Sequence, residues 1–310
     1  MDATRIYRMN NIHGNAYYIK REDTLPYSFG GNKVRKAMLF FEDLKQNGSN
    51  CVVTYGASGS NHCRIVANMA AAMGIPCYII SPNEANRPTT NSRMVYILGA
   101  NVIQCPVSEV SGTIQKTLDE LTAKKYRPYF IQGGGHGNIG TQAYVNVYQE
   151  ILDYERSEGI YFDYVIHASG TGTTQAGLVC GKIMSQDDRH IIGISIARKN
   201  PHGRQVVTDS VNDYLKSKNI ENVNSSDITF IDDYIVEGYG TYNDEILRII
   251  QEILITEGIP LDTTYTGKAF WGMRKYIENN GITGKNILFI HTGGTTLFFN
   301  DLEALSRMKE

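Results

Sequence analysis

No window of this 310-residue sequence approaches 18 consecutive apolar residues, so no segment is expected to cross a membrane as a helix. Charge of one sign is equally lacking. Lys and Arg number 30 against 32 Asp and Glu, a formal net charge of −2, which argues against nucleic acid or an anionic membrane surface as the main partner. The first residues, MDATRIYRMNNIHG, hold no apolar run of a signal peptide, and the expected location is the cytoplasm. Cysteine is sparse and odd in number. Cys51, Cys63, Cys77, Cys105 and Cys180 show no close pairing, and three lie in or beside strand-like apolar runs, as reduced core thiols do. The seven histidines are scattered, with no HExxH and no paired Cys spacing, so no metal centre is expected. A GxSxG elbow is missing, which sets aside that kind of serine hydrolase. Repeats of 20–50 residues and low-complexity segments are missing too.

What is present is alternation. CVVTY (51–55), PCYII (76–80), NVIQC (101–105) and PYFIQ (128–132) form one series of β-rich runs. YVIHA (164–168), HIIGISIA (190–197) and NILFIH (286–291) form a second. Between them lie helical patterns such as NHCRIVANMAAAMG, with Val66, Met69, Ala70 and Met73 on one stripe and a Gly-Ile-Pro stop. Such alternation predicts βαβ units: an α/β fold of two domains, each with a mostly parallel twisted sheet flanked by helices. The smaller domain is expected over 46–146, inserted in a larger one formed by 1–45 and 147–310. KSKNIENVNSSD (216–227) reads as a surface loop.

The stretch Ser28-Phe29-Gly30-Gly31-Asn32-Lys33-Val34-Arg35-Lys36 sets a lysine directly behind two glycines and an asparagine. Val34, Ala37, Met38, Phe41 and Leu44 form a helical stripe after it, so Lys33 sits at a helix start, where the dipole disfavours a cation. Glycine-rich turns follow several strands. Tyr55-Gly56-Ala57-Ser58-Gly59-Ser60-Asn61-His62 suits a carboxylate, although taken alone such a motif is more often an ordinary capped turn. Ala168-Ser169-Gly170-Thr171-Gly172-Thr173-Thr174 offers amides and hydroxyls to one phosphate, but is neither GxxxxGK[ST] nor GxGxxG. His291-Thr292-Gly293-Gly294 ends the last clear strand, and Gly238-Tyr239-Gly240 and Asp262–Lys268 bring two tyrosines into turns. An amine nucleophile with a lowered pKa, together with a single phosphate site and no metal, is what pyridoxal 5′-phosphate (PLP) requires.

At this point the residues resemble a known family. "IKREDTLPYSFGGNKVRK", "TYGASGSNHCR", "ASGTGTTQAGL", "EGYGTYNDE", "TEGIPLDTTYTGKAFWGM" and "FIHTGGTTLF" are similar, in the same order, to motifs of the D-cysteine desulfhydrase and 1-aminocyclopropane-1-carboxylate (ACC) deaminase family. These are PLP enzymes of the tryptophan-synthase β-like fold, fold type II, with the cofactor in the cleft between two domains. The resemblance runs from about Ile19 to about Phe299. It implies Lys33 as the Schiff-base lysine, Asn61 on the cofactor's 3′-oxygen, the cup Gly170, Thr171, Gly172, Thr173 and Thr174 on its phosphate, and Thr292 facing its ring nitrogen. Ser60, Asn61 and the backbone around His62 would hold the substrate carboxylate, with Tyr239 and Tyr265 as acid/base or leaving-group contacts.

Departures from the family lie on the substrate side: Gly59 for the usual Gln, Thr171 and Thr173 for Ser and Gly, Thr263 for Pro, and Thr241-Tyr242 for a residue–Pro pair. Tyr265-Thr266 is the desulfhydrase-like form, where ACC deaminases carry Tyr-Glu. The resemblance thus implies a homodimeric lyase that eliminates a β-substituent from a small amino acid, best D-cysteine, giving a 2-oxo acid and ammonia. β-Replacement on the same aminoacrylate is the nearest alternative. A non-catalytic PLP-binding protein is another, against which Ser60, Tyr239 and Tyr265 weigh.

Overall fold

Runs of β-branched and aromatic residues, punctuated by glycine and amphipathic stretches, fold as alternating strands and helices. The computed structural model describes residues 2–10, 14–85 and 88–307. The N-terminal stretch read above includes Met1 and 11–13, and the larger expected domain includes 308–310; these lie outside the described residues. In order the elements are β1 (Ile6–Arg8), β2 (Ala16–Arg21), α1 (Asn32–Gln46), β3 (Cys51–Tyr55), α2 (Asn61–Ala72), β4 (Cys77–Pro82), α3 (Thr90–Ile97), β5 (Asn101–Cys105), α4 (Val110–Ala123) and β6 (Pro128–Ile131). There follow α5 (Asn138–Glu158), β7 (Tyr164–Ser169), α6 (Thr173–Met184), β8 (His190–Ser195), α7 (His202–Ser217), β9 (Thr229–Ile231), α8 (Asp244–Glu257), α9 (Thr266–Asn279), β10 (Asn286–His291) and α10 (Thr295–Arg307). No described helix is long and apolar enough to cross a membrane.

The chain divides into two compact units, one of Met1–Leu25, Phe29–Asn32 and Thr141–Glu310, the other of Pro26–Ser28 and Lys33–Gly140. The larger carries a six-stranded sheet in the order β1-β2-β10-β7-β8-β9, the smaller a four-stranded sheet in the order β5-β4-β3-β6. Only β1 with β2 is antiparallel; every other pairing is parallel. Helices flank both sheets, so the strands are buried on two faces and read as continuous apolar runs. On one face of the larger sheet, Ile166, Ile192, Ile194, Ile287 and Phe289 pack with Ile246, Ile250 and Ile253 of α8 and Phe270 and Met273 of α9. Each such fully buried side chain contributes about 1.5–3 kcal/mol. Helix α8 is bounded by its own chemistry: Asn243 accepts from the Ile246 amide at its start, and Gly258 ends it at φ 68°. All five cysteines are unpaired and buried.

Three strands did not stand out in the sequence. β1 and β9 are only three residues long. β2 ends on Lys20 and Arg21, which look solvent-facing, yet Lys20 is fully buried and paired with Glu150 at 2.6 Å. Arg21 is held by both oxygens of Asp23, at 2.8 and 2.7 Å. The stretch 216–227 begins as the end of α7 and closes on a 3₁₀ turn at Ser225–Asp227.

Candidate active site

In the larger unit the parallel strands β2, β10, β7 and β8 end at one edge of the sheet, where open α/β sheets bind ligands. β7 runs into the turn Gly170–Gly172 and then into α6, which opens at Thr173. Gly172 caps that helix at φ 100°, a conformation glycine adopts without strain. The first turn of a helix directs its amides out of the helix end, which favours an anion there. Two further groups close on this cup. Asn32 Nδ2 donates to Thr174 Oγ1 at 3.0 Å, and Arg198 Nη1 donates to the Gly170 carbonyl at 2.9 Å. The cup is thereby tied to the residue that immediately precedes Lys33.

β10 delivers Thr292, which is buried. Its carbonyl accepts from the Asn32 amide at 2.9 Å, and at Gly293 the chain passes against Gly31 so closely that a Cβ would lie 2.6 Å from the Gly31 Cα. Gly31 and Gly293 have φ of 105° and 104°. Gly31 is therefore required by this chain crossing, and Gly30 by a different approach, since a Cβ there would lie 2.2 Å from the Asp23 carbonyl oxygen. His291 supports the turn as a neutral ring: Nδ1 accepts from the Gly293 amide at 3.2 Å, leaving Nε2–H to donate to the Pro260 carbonyl at 2.9 Å.

Tyr239 and Tyr265 come together, with hydroxyl oxygens 2.7 Å apart and rings edge to face. Neither is held by its own turn alone. Asp262, fully buried, accepts from the amides of Thr264, Tyr265 and Thr266 at 2.9, 2.7 and 3.1 Å and from Thr266 Oγ1 at 2.8 Å. Burial pushes its carboxyl up to about 6. Lys268, one turn into α9, donates to the carbonyls of Ile196, Ile235 and Gly238 at 3.1, 3.0 and 2.7 Å, and so holds the loop that carries Tyr239. Its burial pushes the ammonium down to about 8.

The smaller unit holds Lys33 as the second residue of α1. The side chain is half-buried and donates to the Gly134 carbonyl at 3.0 Å. Loss of water around the ammonium lowers its pKa to about 8. Lys36, one turn on, is buried and is pushed well below the ordinary lysine range by burial and then by the charge of Lys33. After β3, Ser60 caps α2 by accepting from the Cys63 amide at 3.3 Å, which leaves its hydroxyl hydrogen to donate elsewhere. Asn61 opens the helix. The His62 ring turns inward to Thr54 Oγ1 at 2.8 Å; that hydroxyl donates to the Ile131 carbonyl, so His62 is the donor to it and is neutral. Burial and the two lysines lower His62 to about 3. Only the main chain of His62 is left for a ligand.

Sequence reasoning missed Asn32, Lys36, Arg198, Asp262 and Lys268 as parts of these arrangements. They are charged or amide residues at helix or loop positions that read as solvent-facing. Their one common signal, proximity in sequence to a glycine-rich turn, is weak.

These features fit PLP. Gly170–Thr174 offers a cradle for one phosphate. Among its described residues the smaller unit buries Arg35, Lys36 and Arg64 but no Asp or Glu, a donor set that suits anionic groups. The description "pyridoxal-phosphate dependent enzyme" belongs to the family whose sequence profile matches residues 3–293. The chain is 32% identical over 303 residues to a D-cysteine desulfhydrase of Yersinia enterocolitica, covering 95% of this chain and 91% of that protein. A D-cysteine desulfhydrase of Klebsiella pneumoniae is 33% identical over 317 residues, covering 94% and 90%. The crystal structure of an ACC deaminase homologue superposes with a TM-score of 0.89 at 28% identity, covering 99% of this chain and 94% of that one. With its two mostly parallel sheets, a profile match over residues 3–293 and relatives 32–33% identical over most of its length, the chain belongs to the pyridoxal-phosphate dependent enzyme family.

Proposed function

We propose that this protein removes the β-substituent of a small amino acid, with D-cysteine as its substrate, and releases sulfide, ammonia and a 2-oxo acid. The observation that carries the reading is Lys33, an amine at a helix start whose pKa is lowered to about 8 and whose neighbour Asn32 is bonded to the cup residue Thr174. Lys33 would bind PLP covalently, Gly170–Thr174 its phosphate, Asn61 its 3′-oxygen, and Thr292 would face its ring nitrogen. Bound PLP supplies a carbonyl for the substrate's amino group and an electron sink for its α-carbon.

The chain's own residues supply the rest. Once the substrate's amino group has taken the place of Lys33 on the cofactor, the freed Lys33 amine would take the α-proton. Ser60, Asn61 and the amides at the start of α2 hold the substrate carboxylate. Tyr239 and Tyr265, hydrogen-bonded to each other at 2.7 Å, would orient or protonate the departing sulfur. Thr266, buried and bonded to Asp262, places no second carboxylate beside Tyr265, which supports a β-substituted substrate over ACC. Five unpaired buried thiols support a reducing compartment such as the cytoplasm.

The test is a panel of D- and L-cysteine, D- and L-serine, cysteate, O-acetylserine, 2,3-diaminopropionate and ACC, scored for 2-oxo acid, with borohydride fixing the cofactor for peptide mapping. D-cysteine turnover and a label on Lys33 are expected. A label on another lysine, or turnover confined to ACC, overturns the reading.

A further inference from the structure

Lys268 is fully buried, and its three ammonium hydrogens meet three main-chain carbonyls: Ile196 at 3.1 Å, Ile235 at 3.0 Å and Gly238 at 2.7 Å. All three acceptors are neutral. The charge of Asp262 is felt by the ammonium, but both its oxygens accept from the turn Thr264–Thr266. A hydroxyl or an amide would supply hydrogens at a far lower desolvation cost, so the charge itself calls for a use.

The use lies in the acceptors. Ile235 and Gly238 belong to one tight turn, in which the Gly238 amide donates to the Ile235 carbonyl at 3.2 Å and Thr241 Oγ1 to the Gly238 carbonyl at 2.9 Å. Val236 sits in that turn at φ 61°, a strained conformation for a β-branched residue. Ile196 follows β8 and flanks the phosphate cup: its amide donates to the Ser169 carbonyl at 3.1 Å, and a Cβ on Gly170 would lie 3.7 Å from its side chain. Three carbonyl oxygens facing one point repel one another unless a cation sits among them, and such carbonyls can replace the hydration shell of potassium. The distances set the size of the ion. At 2.7–3.1 Å they exceed the roughly 2.3–2.6 Å of calcium and the roughly 2.0–2.1 Å of magnesium, so the cage fits an ammonium or a monovalent ion of similar size.

We propose that Lys268 is a positioning residue that acts as a built-in monovalent cation: its ammonium fills a carbonyl cage joining the cup-side end of β8 to the turn of Tyr239, and without it the cage takes potassium or ammonium from solution. All of these groups lie in the larger unit. The effect on turnover rests on the functional reading above, in which Tyr239 meets the substrate.

The experiment measures the denaturation midpoint and D-cysteine turnover of the wild-type holoenzyme, Lys268→Ala and Lys268→Gln. Each is assayed in the chlorides of choline, sodium, potassium and ammonium at equal ionic strength. The wild type should be indifferent to the cation in both readouts. Lys268→Ala empties the cage, so in choline its midpoint and kcat should fall, and potassium or ammonium should raise both again. At a salt concentration about ten times the Kd of the cage, its folded-to-unfolded ratio should rise about tenfold over choline. Lys268→Gln keeps hydrogen-bond donors without the charge and should lose stability and turnover. A folded Lys268→Ala protein that behaves alike in all four salts overturns the proposal, as does a wild type that needs potassium. If Lys268→Ala stays unfolded in every salt, Lys268→Gln decides: a wild-type midpoint and kcat would show that hydrogen bonds suffice and overturn the role of the charge. The midpoint does not depend on the substrate, so a wild type without D-cysteine turnover overturns the functional reading while the cage is still tested.

Discussion

Lys33 should capture PLP at neutral pH in a way an ordinary lysine cannot. With its pKa lowered to about 8, roughly 9% of the amine is neutral at pH 7. At the ordinary value of about 10.4 only about 0.04% would be, a difference of more than 200-fold. The less basic amine is also the weaker nucleophile. With a slope of about 0.4–0.5, as for thiols, that costs roughly 10- to 16-fold, so a net gain of about 15- to 25-fold survives. The population effect wins, and it leaves a signature. The rate of PLP addition to the apoenzyme should climb about tenfold per pH unit up to about pH 8 and then level off. Stopped-flow mixing from about pH 6 to pH 10, with Lys33→Ala as the control, reads it directly. A rate still climbing steeply above pH 9.5, or a fast phase that persists in Lys33→Ala, would refute the assignment of a desolvated amine at this position.

The remaining predictions concern the tyrosine pair and the turns behind it. Tyr265→Phe should lower kcat by about 10²-fold or more while PLP remains bound, and equal losses of cofactor and turnover would count against its role on the leaving group. Lys268→Met strips a shared donor from three carbonyls; the expected cost is about 3 kcal/mol, read as a lowered denaturation midpoint, with kcat falling because Tyr239 loses its loop anchor. Wild-type values of both would refute the anchoring. Gly293→Ala, which adds a Cβ 2.6 Å from Gly31 at φ 104°, should destabilise by about 2 kcal/mol or more, and an unchanged midpoint would deny the crossing any consequence. Turnover should fall as pH drops through about 6, where Asp262 takes up a proton and accepts more weakly from the Tyr265 and Thr266 amides. Because its folded pKa is raised, the ionised Asp262 costs stability above about pH 6, and that cost is relieved toward about pH 4. Asp262 itself therefore gives no reason for the protein to unfold there, and unfolding coincident with the activity loss would refute this account.

The buried parallel strands β3 and β10 were legible because burial on both faces writes them as apolar runs, and they begin and end where the sequence placed them, as does the more exposed edge strand β5. β2 was not, since its last residues are cationic and are neutralised by Glu150, Glu22 and Asp23, distant or inconspicuous in sequence. Helix α2 shows a subtler limit. Its stripe of Val66, Met69 and Ala70 suggested one buried face, but His62 and Arg64 are buried as well. The site residues that occupy glycine-rich turns were readable from local chemistry and from the resemblance. The contacts that hold these turns were not, because Lys268 lies 30 residues from Gly238. Such pairs exist only after folding.

The junction of Gly31 and Gly293 also sets a schedule. Strand β2 pairs with β1 on one side and with β10 on the other, and the Asn32 amide finds its acceptor on Thr292. At roughly 5–20 residues per second, the 270 residues from Arg21 to His291 take a ribosome about 15 to 50 s to make. Throughout that time β2 has only β1 to pair with, and buried Lys20 has no completed sheet around it. Asn32 is made about 260 residues before the Thr292 carbonyl that receives its amide, so this junction forms only once β10 has been made.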